Sequence, residues 1–169
     1  DLIKIIEKMK RFRFKGLHLD IEPDSLPGAE GKREELLVQL TDTLKEVKNA
    51  SDMSLSISVH PRYLEGDLGA VFSRRSAGMG LEYIAVMIYT TYPDRAAKRM
   101  RDIMLMHPSL SFCLAQSVER ALPPEESYFF SGMDVYRESM RGIFSELSNM
   151  NKFRGVIIQA WEDIGGMLR

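Results

Sequence analysis

Three ionisable side chains at alternate positions, His18, Asp20 and Glu22, carry the chemistry most visible in this sequence. They lie in Phe14-Lys15-Gly16-Leu17-His18-Leu19-Asp20-Ile21-Glu22-Pro23-Asp24. In an extended chain, alternate side chains share a face. Leu17, Leu19 and Ile21 then point into an apolar layer, and His18, Asp20 and Glu22 point the other way. Ionisable groups beside such a layer are costly unless they are paired or used. Pro23 cannot donate to a sheet ladder, which places Glu22 at the C-terminal tip of a strand over residues 14–22. Asp20 and Glu22 would have Cα atoms ~6.5 to 7 Å apart. Carboxyl groups that close can share a proton, which raises one pKa toward the range of a general acid. The plainer alternative is that Glu-Pro-Asp is a turn that caps the next element.

The elements that must position these residues follow in chain order. Apolar spacing predicts a helix over residues 1–12, the strand 14–22, and an amphipathic helix over 32–49 built on Leu36, Leu37, Leu40, Leu44 and Val47. A second strand over 54–59 alternates Leu55, Ile57 and Val59 with Ser54, Ser56 and Ser58 and ends at His60-Pro61. The smaller residues suit a barrel interior. Further helices are expected over 67–77, from 93 or 94 to 106, and over 133–150. Strands are expected over 83–89, 111–117 and 155–161. Helix and strand alternate without hairpin signals, so the fold class is α/β with parallel βα repeats. No glycine-rich phosphate loop follows a strand. Polar or aromatic residues instead stand at strand ends: Glu22, His60, Tyr89, Gln116 and Trp161. A site assembled from several strand ends is the pattern of a (β/α)8 TIM barrel. With five strands, the chain reads as part of such a barrel, about its second half.

Composition narrows the classes. The chain has 169 residues, which fits one domain, and a net charge of −1, which gives no general electrostatic reason to expect nucleic acid or an anionic membrane. Lys10, Arg11, Arg13 and Lys15 form a short basic patch that reads as a solvated helix end. The single cysteine, Cys113, excludes an intramolecular disulfide and a Cys-based zinc cluster, and reads as a small buried hydrophobe. No segment approaches a membrane span of ~20 apolar residues. The chain opens directly in a helical pattern without Met, and is expected to be a fragment whose missing first barrel half, or a partner chain, completes it.

Lys15-Gly-Leu-His18-Leu-Asp20-Ile-Glu22 resembles the fourth-strand signature Asp-Gly-x-Asp-x-Asp-x-Glu of family 18 glycoside hydrolases, the chitinase-like family. Val86-Met87-Ile88-Tyr89 resembles that family's sixth-strand Met-x-Tyr. Gly155-Val-Ile-Ile-Gln159-Ala-Trp161-Glu-Asp163 resembles its eighth-strand segment ending in Trp. On this resemblance residues 1–169 run from the third helix to the eighth strand of one catalytic domain, with a carbohydrate substrate, no cofactor, no metal and an extracytoplasmic location. It implies Glu22 as the general acid. Asp20 would orient an N-acetyl group whose carbonyl oxygen replaces the enzyme nucleophile, an exception to the two-carboxylate scheme. Tyr89 would bind the acetamido oxygen and Trp161 would floor the sugar. His18, His60 and Gln116 join them as substrate-binding candidates. Lys15 and His18 depart from the pattern, each standing where the family has Asp, and Thr90 stands where Asp often follows the Tyr. A neutral His18 could hydrogen-bond Asp20, and a protonated one would hold it ionised.

Three other readings stay open. A retaining glycosidase would pair Glu22 with Glu119 after the 111–117 strand, with carboxyls ~5 to 5.5 Å apart. A carbohydrate-binding module would keep the groove without catalysis. A metal-dependent hydrolase would use His18, His60 and carboxylates, although such a site needs three or more ligands.

Overall fold

The computed structural model describes residues 2–168. The chain is α/β: five strands alternate with helices, and both described strand pairings are parallel. It divides into two compact units, residues 1–84 and 85–169.

In the first unit, α1 (Leu2–Met9) leads into β1 (Gly16–Asp20), α2 (Arg33–Ala50), β2 (Ser54–Val59) and α3 (Gly66–Ser76). β1 and β2 pair in register from Gly16 opposite Ser54 to Asp20 opposite Ser58. The alternation expected of β1 is present: Leu17 and Leu19 are buried, while Gly16, His18 and Asp20 are exposed. α2 buries Leu36, Leu37, Leu40, Leu44 and Val47, the residues its periodicity singles out. Each such side chain contributes about 1.5–3 kcal/mol when fully buried. The core beneath includes Ile6, Leu55, Ile57 and Phe72, each at most 1% exposed. Gly16 is set by sterics, because a Cβ there would come within 2.9 Å of the Ser54 carbonyl oxygen. A side chain at that position would hold the two backbones apart.

In the second unit, β3 (Ile84–Met87), which begins at the boundary, is followed by α4 (Pro93–Met106), β4 (Phe112–Ser117), α5 (Met133–Leu147), β5 (Phe153–Gln159) and the single turn α6 (Ile164–Met167). β4 is buried throughout, Cys113 with it. Burial of every residue, the polar Gln116 and Ser117 included, means that both faces of this strand are covered. A smaller cluster of Val118, Tyr128, Tyr136 and Met167 fixes the loop after β4. The Tyr128 and Tyr136 rings meet edge to face, centroids 5.5 Å apart.

Several sequence-based boundaries shift. The first strand spans Gly16–Asp20 and not 14–22, so Glu22 lies beyond it, immediately before a 3-10 turn at Pro23–Ser25. Pro23 explains the early end, since the ring fixes φ and starts the turn. The last strand stops at Gln159, so Trp161 lies outside it and begins a 3-10 turn. Ala160 between them adopts a left-handed φ of 59°, which breaks the strand before the tryptophan. α1 ends at Met9 and α5 at Leu147, each three residues earlier than expected. Residue 1 lies outside the described residues.

Candidate functional site

In the first unit, the strand register explains what surrounds His18. Its Cα partner is Ser56, so both side chains leave the sheet on one face. His18 Nδ1 lies 2.8 Å from Ser56 Oγ, and Nε2 lies 2.9 Å from Ser58 Oγ. The ring also stacks on Tyr83, with centroids 5.9 Å apart. A hydroxyl can give or take a proton, so the two serines satisfy either tautomer of a neutral imidazole. Although part of the side chain meets solvent, this packing desolvates the ring and pushes its pKa below the ordinary histidine value, with the negative Asp20 opposing the shift. Both ring nitrogens therefore go to serines, and the expected hydrogen bond from His18 to Asp20 is replaced. The alternation of Ser56 and Ser58 was visible in the sequence. Their role as histidine partners depends on the parallel register.

Glu22 and His60 come together on the wall of a cavity of about 230 Å³ at the C-terminal ends of β1 and β2. Ile21, Leu40 and Val59 give the cavity apolar walls, and Asp24, Arg62 and Tyr63 give it polar ones. Glu22 is exposed, and its Oε2 accepts a hydrogen bond from Ser25 Oγ at 3.3 Å. Because β1 ends at Asp20 and Glu22 has φ −107°, ψ 90°, the regular strand spacing expected between Asp20 and Glu22 does not apply. Asp20 stays on the exposed face of β1.

The best-organised polar cluster here was not singled out from sequence. Asp24 Oδ1 accepts from the buried Tyr63 hydroxyl at 2.7 Å, and Oδ2 accepts from Arg62 Nη1 at 2.7 Å. Arg33 approaches the same carboxylate, with Nε at 3.8 Å. Burial first, and donation to Asp24 second, push the Tyr63 phenol well above the ordinary tyrosine range. Arg62 also turns back on His60. Its backbone N–H (3.2 Å) and its Nε–H (2.8 Å) both donate to His60 Nδ1. Arg62 Nη2 lies 3.3 Å from the other ring nitrogen, Nε2, so the guanidinium spans the imidazole. Asp24 follows Glu22-Pro23, and Arg62-Tyr63 follows His60-Pro61. Each half of the cluster thus adjoins a residue that sequence reasoning did mark. The two halves are 38 and 39 residues apart, and only the β1–β2 pairing brings them together.

In the second unit, Tyr89 is half-buried just past β3. Gln116 is fully buried on β4, and its Nε2 donates to the Ile88 carbonyl at 2.6 Å. Among the described residues its Oε1 has no hydrogen-bond partner. Trp161 is 64% exposed, so it is a surface ring and not part of the core. Glu119 is half-buried beyond β4, and its backbone N–H donates to Ser117 Oγ at 3.0 Å. With Arg120, Glu162 and Asp163 it lines a cavity of about 510 Å³, where the Arg120 N–H donates to Asp163 Oδ2 at 2.9 Å.

Among the described residues, no group of three or more His, Cys, Asp or Glu side chains is placed to hold a metal ion. His60 Nδ1 is turned to Arg62, and both His18 nitrogens are turned to serines. Among them, too, no helix is long and apolar enough to cross a membrane.

No known protein family, curated protein or solved structure matches this chain.

Proposed function

We propose that this chain carries the general acid of a glycoside hydrolase related to family 18, that the acid is Glu22, and that the βα repeats belong to a (β/α)8 barrel. One observation carries the reading. Glu22 lies just past the C-terminal end of a parallel strand, on the wall of a cavity, preceded on the exposed face of that strand by Asp20 and His18. That edge is where parallel α/β folds build sites.

In the proposed reaction, protonated Glu22 gives its proton to the glycosidic oxygen as the bond to the anomeric carbon breaks. On an N-acetylated sugar, the acetamido carbonyl oxygen attacks that carbon, with Asp20 orienting the amide. Water then opens the cyclic intermediate, and Glu22, now a carboxylate, accepts its proton. Desolvation in the serine and tyrosine cradle favours a neutral His18, which contributes no negative charge where the family has an Asp.

That same neutral histidine favours a second reading, a chitinase-like carbohydrate-binding protein without catalysis. The two separate in one experiment: hydrolysis of N-acetylated and non-acetylated oligosaccharides by the protein and by Glu22→Gln. Gln keeps the size and loses the acid. The expected result is cleavage that falls about 10²–10⁴-fold in the variant. Equal sugar binding by both proteins with no cleavage by either would replace the enzyme with the binding protein.

A further inference from the structure

The residues from the last turn of α1 to the start of β1 remain unused by this reading, and their placement is unusual. Lys8, Lys10, Arg11, Arg13 and Lys15 put five cations and no acid into eight residues. The whole chain has net charge −1, so the remaining residues carry −6. Two phenylalanines interleave with these cations. Phe12 and Phe14 are each 52% exposed, and their rings lie against one another, centroids 5.8 Å apart at 49°. The Arg11 guanidinium lies over the Phe12 ring, 5.1 Å from its centroid. Lys10, Phe12, Phe14 and Lys15 line a groove of about 450 Å³ with Asp52 and Met53 from the turn before β2. Asp52 is the one acid among the groove's lining residues. A solvated helix end accounts for the cations. It does not account for two large rings left half in water and held side by side in a groove.

We propose that this groove, at the N-terminal ends of β1 and β2 and so at the opposite strand ends from Glu22, binds an acidic polysaccharide chain. Sugar C–H faces would lie on Phe12 and Phe14, and carboxylate or sulfate groups would meet Arg11 and Lys15, since Lys10 Nζ is held by Glu7 Oε1 at 2.7 Å. Charge complementarity selects a polyanion, since short Lys/Arg-rich segments are the usual footprint for one. The rings select a polymer that offers a hydrophobic face at intervals. A concave groove receives a linear chain more readily than a flat bilayer. The choice of a glycan among linear polyanions rests on the glycosidase reading above. The site would then hold the polymer at a distance from the acid, as a second point of attachment.

The test measures binding of the full chain to heparin and to polygalacturonate. Neutral dextran, a single-stranded oligothymidylate and phosphatidylserine-containing vesicles serve as comparison probes. The variants are Phe12→Ala with Phe14→Ala and Arg11→Gln with Lys15→Gln, with Glu22→Gln carried for the hydrolysis readout alone. Circular dichroism confirms that each variant folds. The expected result is binding to both acidic glycans that weakens with salt and falls about tenfold in the ring variant and in the charge variant. Dextran should not bind. Three results would overturn the proposal: no acidic-glycan binding, binding that ignores the ring variant, or tighter binding of the oligonucleotide or the vesicles. Hydrolysis is read separately. Ring-dependent glycan binding without any cleavage keeps this site and removes the enzyme reading, and cleavage without that binding does the reverse.

Discussion

Removing the Asp24 carboxylate should cost more than its exposed ion pair is worth, and the excess should vanish when Tyr63 is changed as well. Asp24 accepts from Tyr63 Oη and Arg62 Nη1, both at 2.7 Å. The Arg62 side chain is 37% exposed and that of Asp24 is 25% exposed, so solvent screens the ion pair and it contributes a few tenths of a kcal/mol, about 0.5 at most. Tyr63 is different. At 2% exposure its hydroxyl meets water only through the cavity that it helps to line, so the loss falls in the lower part of the range for a buried donor. Leaving a buried donor unsatisfied costs about 1–3 kcal/mol. Asp24→Ala should therefore destabilise by about 2 kcal/mol, taking the lower part of that range plus the screened ion pair. Tyr63→Phe leaves Asp24 with Arg62 and should cost about 1 kcal/mol. In the double variant no hydroxyl is orphaned, so the loss should fall short of the sum by about 1 kcal/mol, beyond the ~0.3–0.5 kcal/mol scatter of independent sites. Urea unfolding of the four proteins reads this directly. With a slope of about 2 kcal/mol per molar, the coupling is a midpoint difference of about 0.5 M. Additive single-variant losses would refute the argument, because they would mean that Tyr63 and Asp24 do not depend on one another.

Two further outcomes follow from the same unit. The pKa of His18 is held below its unfolded value, so the stability it contributes is fully present above about pH 6.5 and is lost as pH falls through the lower folded-state pKa. Unfolding midpoints measured across that acid range should fall less steeply in His18→Gln than in the parent, and parallel curves would contradict the serine and tyrosine cradle. At the strand crossing, Gly16→Ala puts a Cβ within 2.9 Å of the Ser54 carbonyl oxygen, which is backbone and cannot swing aside. Thermal unfolding should show a loss of about 1–3 kcal/mol, and a neutral substitution would mean that the β1–β2 backbones are not held this closely.

Much of this architecture was legible because it rests on local periodicity. The buried leucines of α2 repeat at helical spacing, and Leu17 and Leu19 alternate with His18 and Asp20. Burial of one face is enough to fix which residues point inward. The alternation of helix and strand implied parallel pairing for the same reason, since neighbouring strands without hairpin turns need crossovers. The ends of elements were less legible. The strand patterns extend to Glu22 and Trp161, but both residues lie just outside, because a proline turn and the left-handed Ala160 end the strands first.

The sequence alone determined that His18 and Asp20 would share one face of β1, opposite the buried Leu17 and Leu19. Only the tertiary structure decided what those residues touch. The parallel register put Ser56 opposite His18 and so gave the imidazole two hydroxyls in place of Asp20. It also brought Arg62 and Tyr63 onto Asp24 across 38 and 39 residues of chain. Side-chain type and spacing specify the face on which a residue leaves its own strand. Its neighbours on that face come from the next strand, and no local pattern in the sequence encodes the pairing that supplies them.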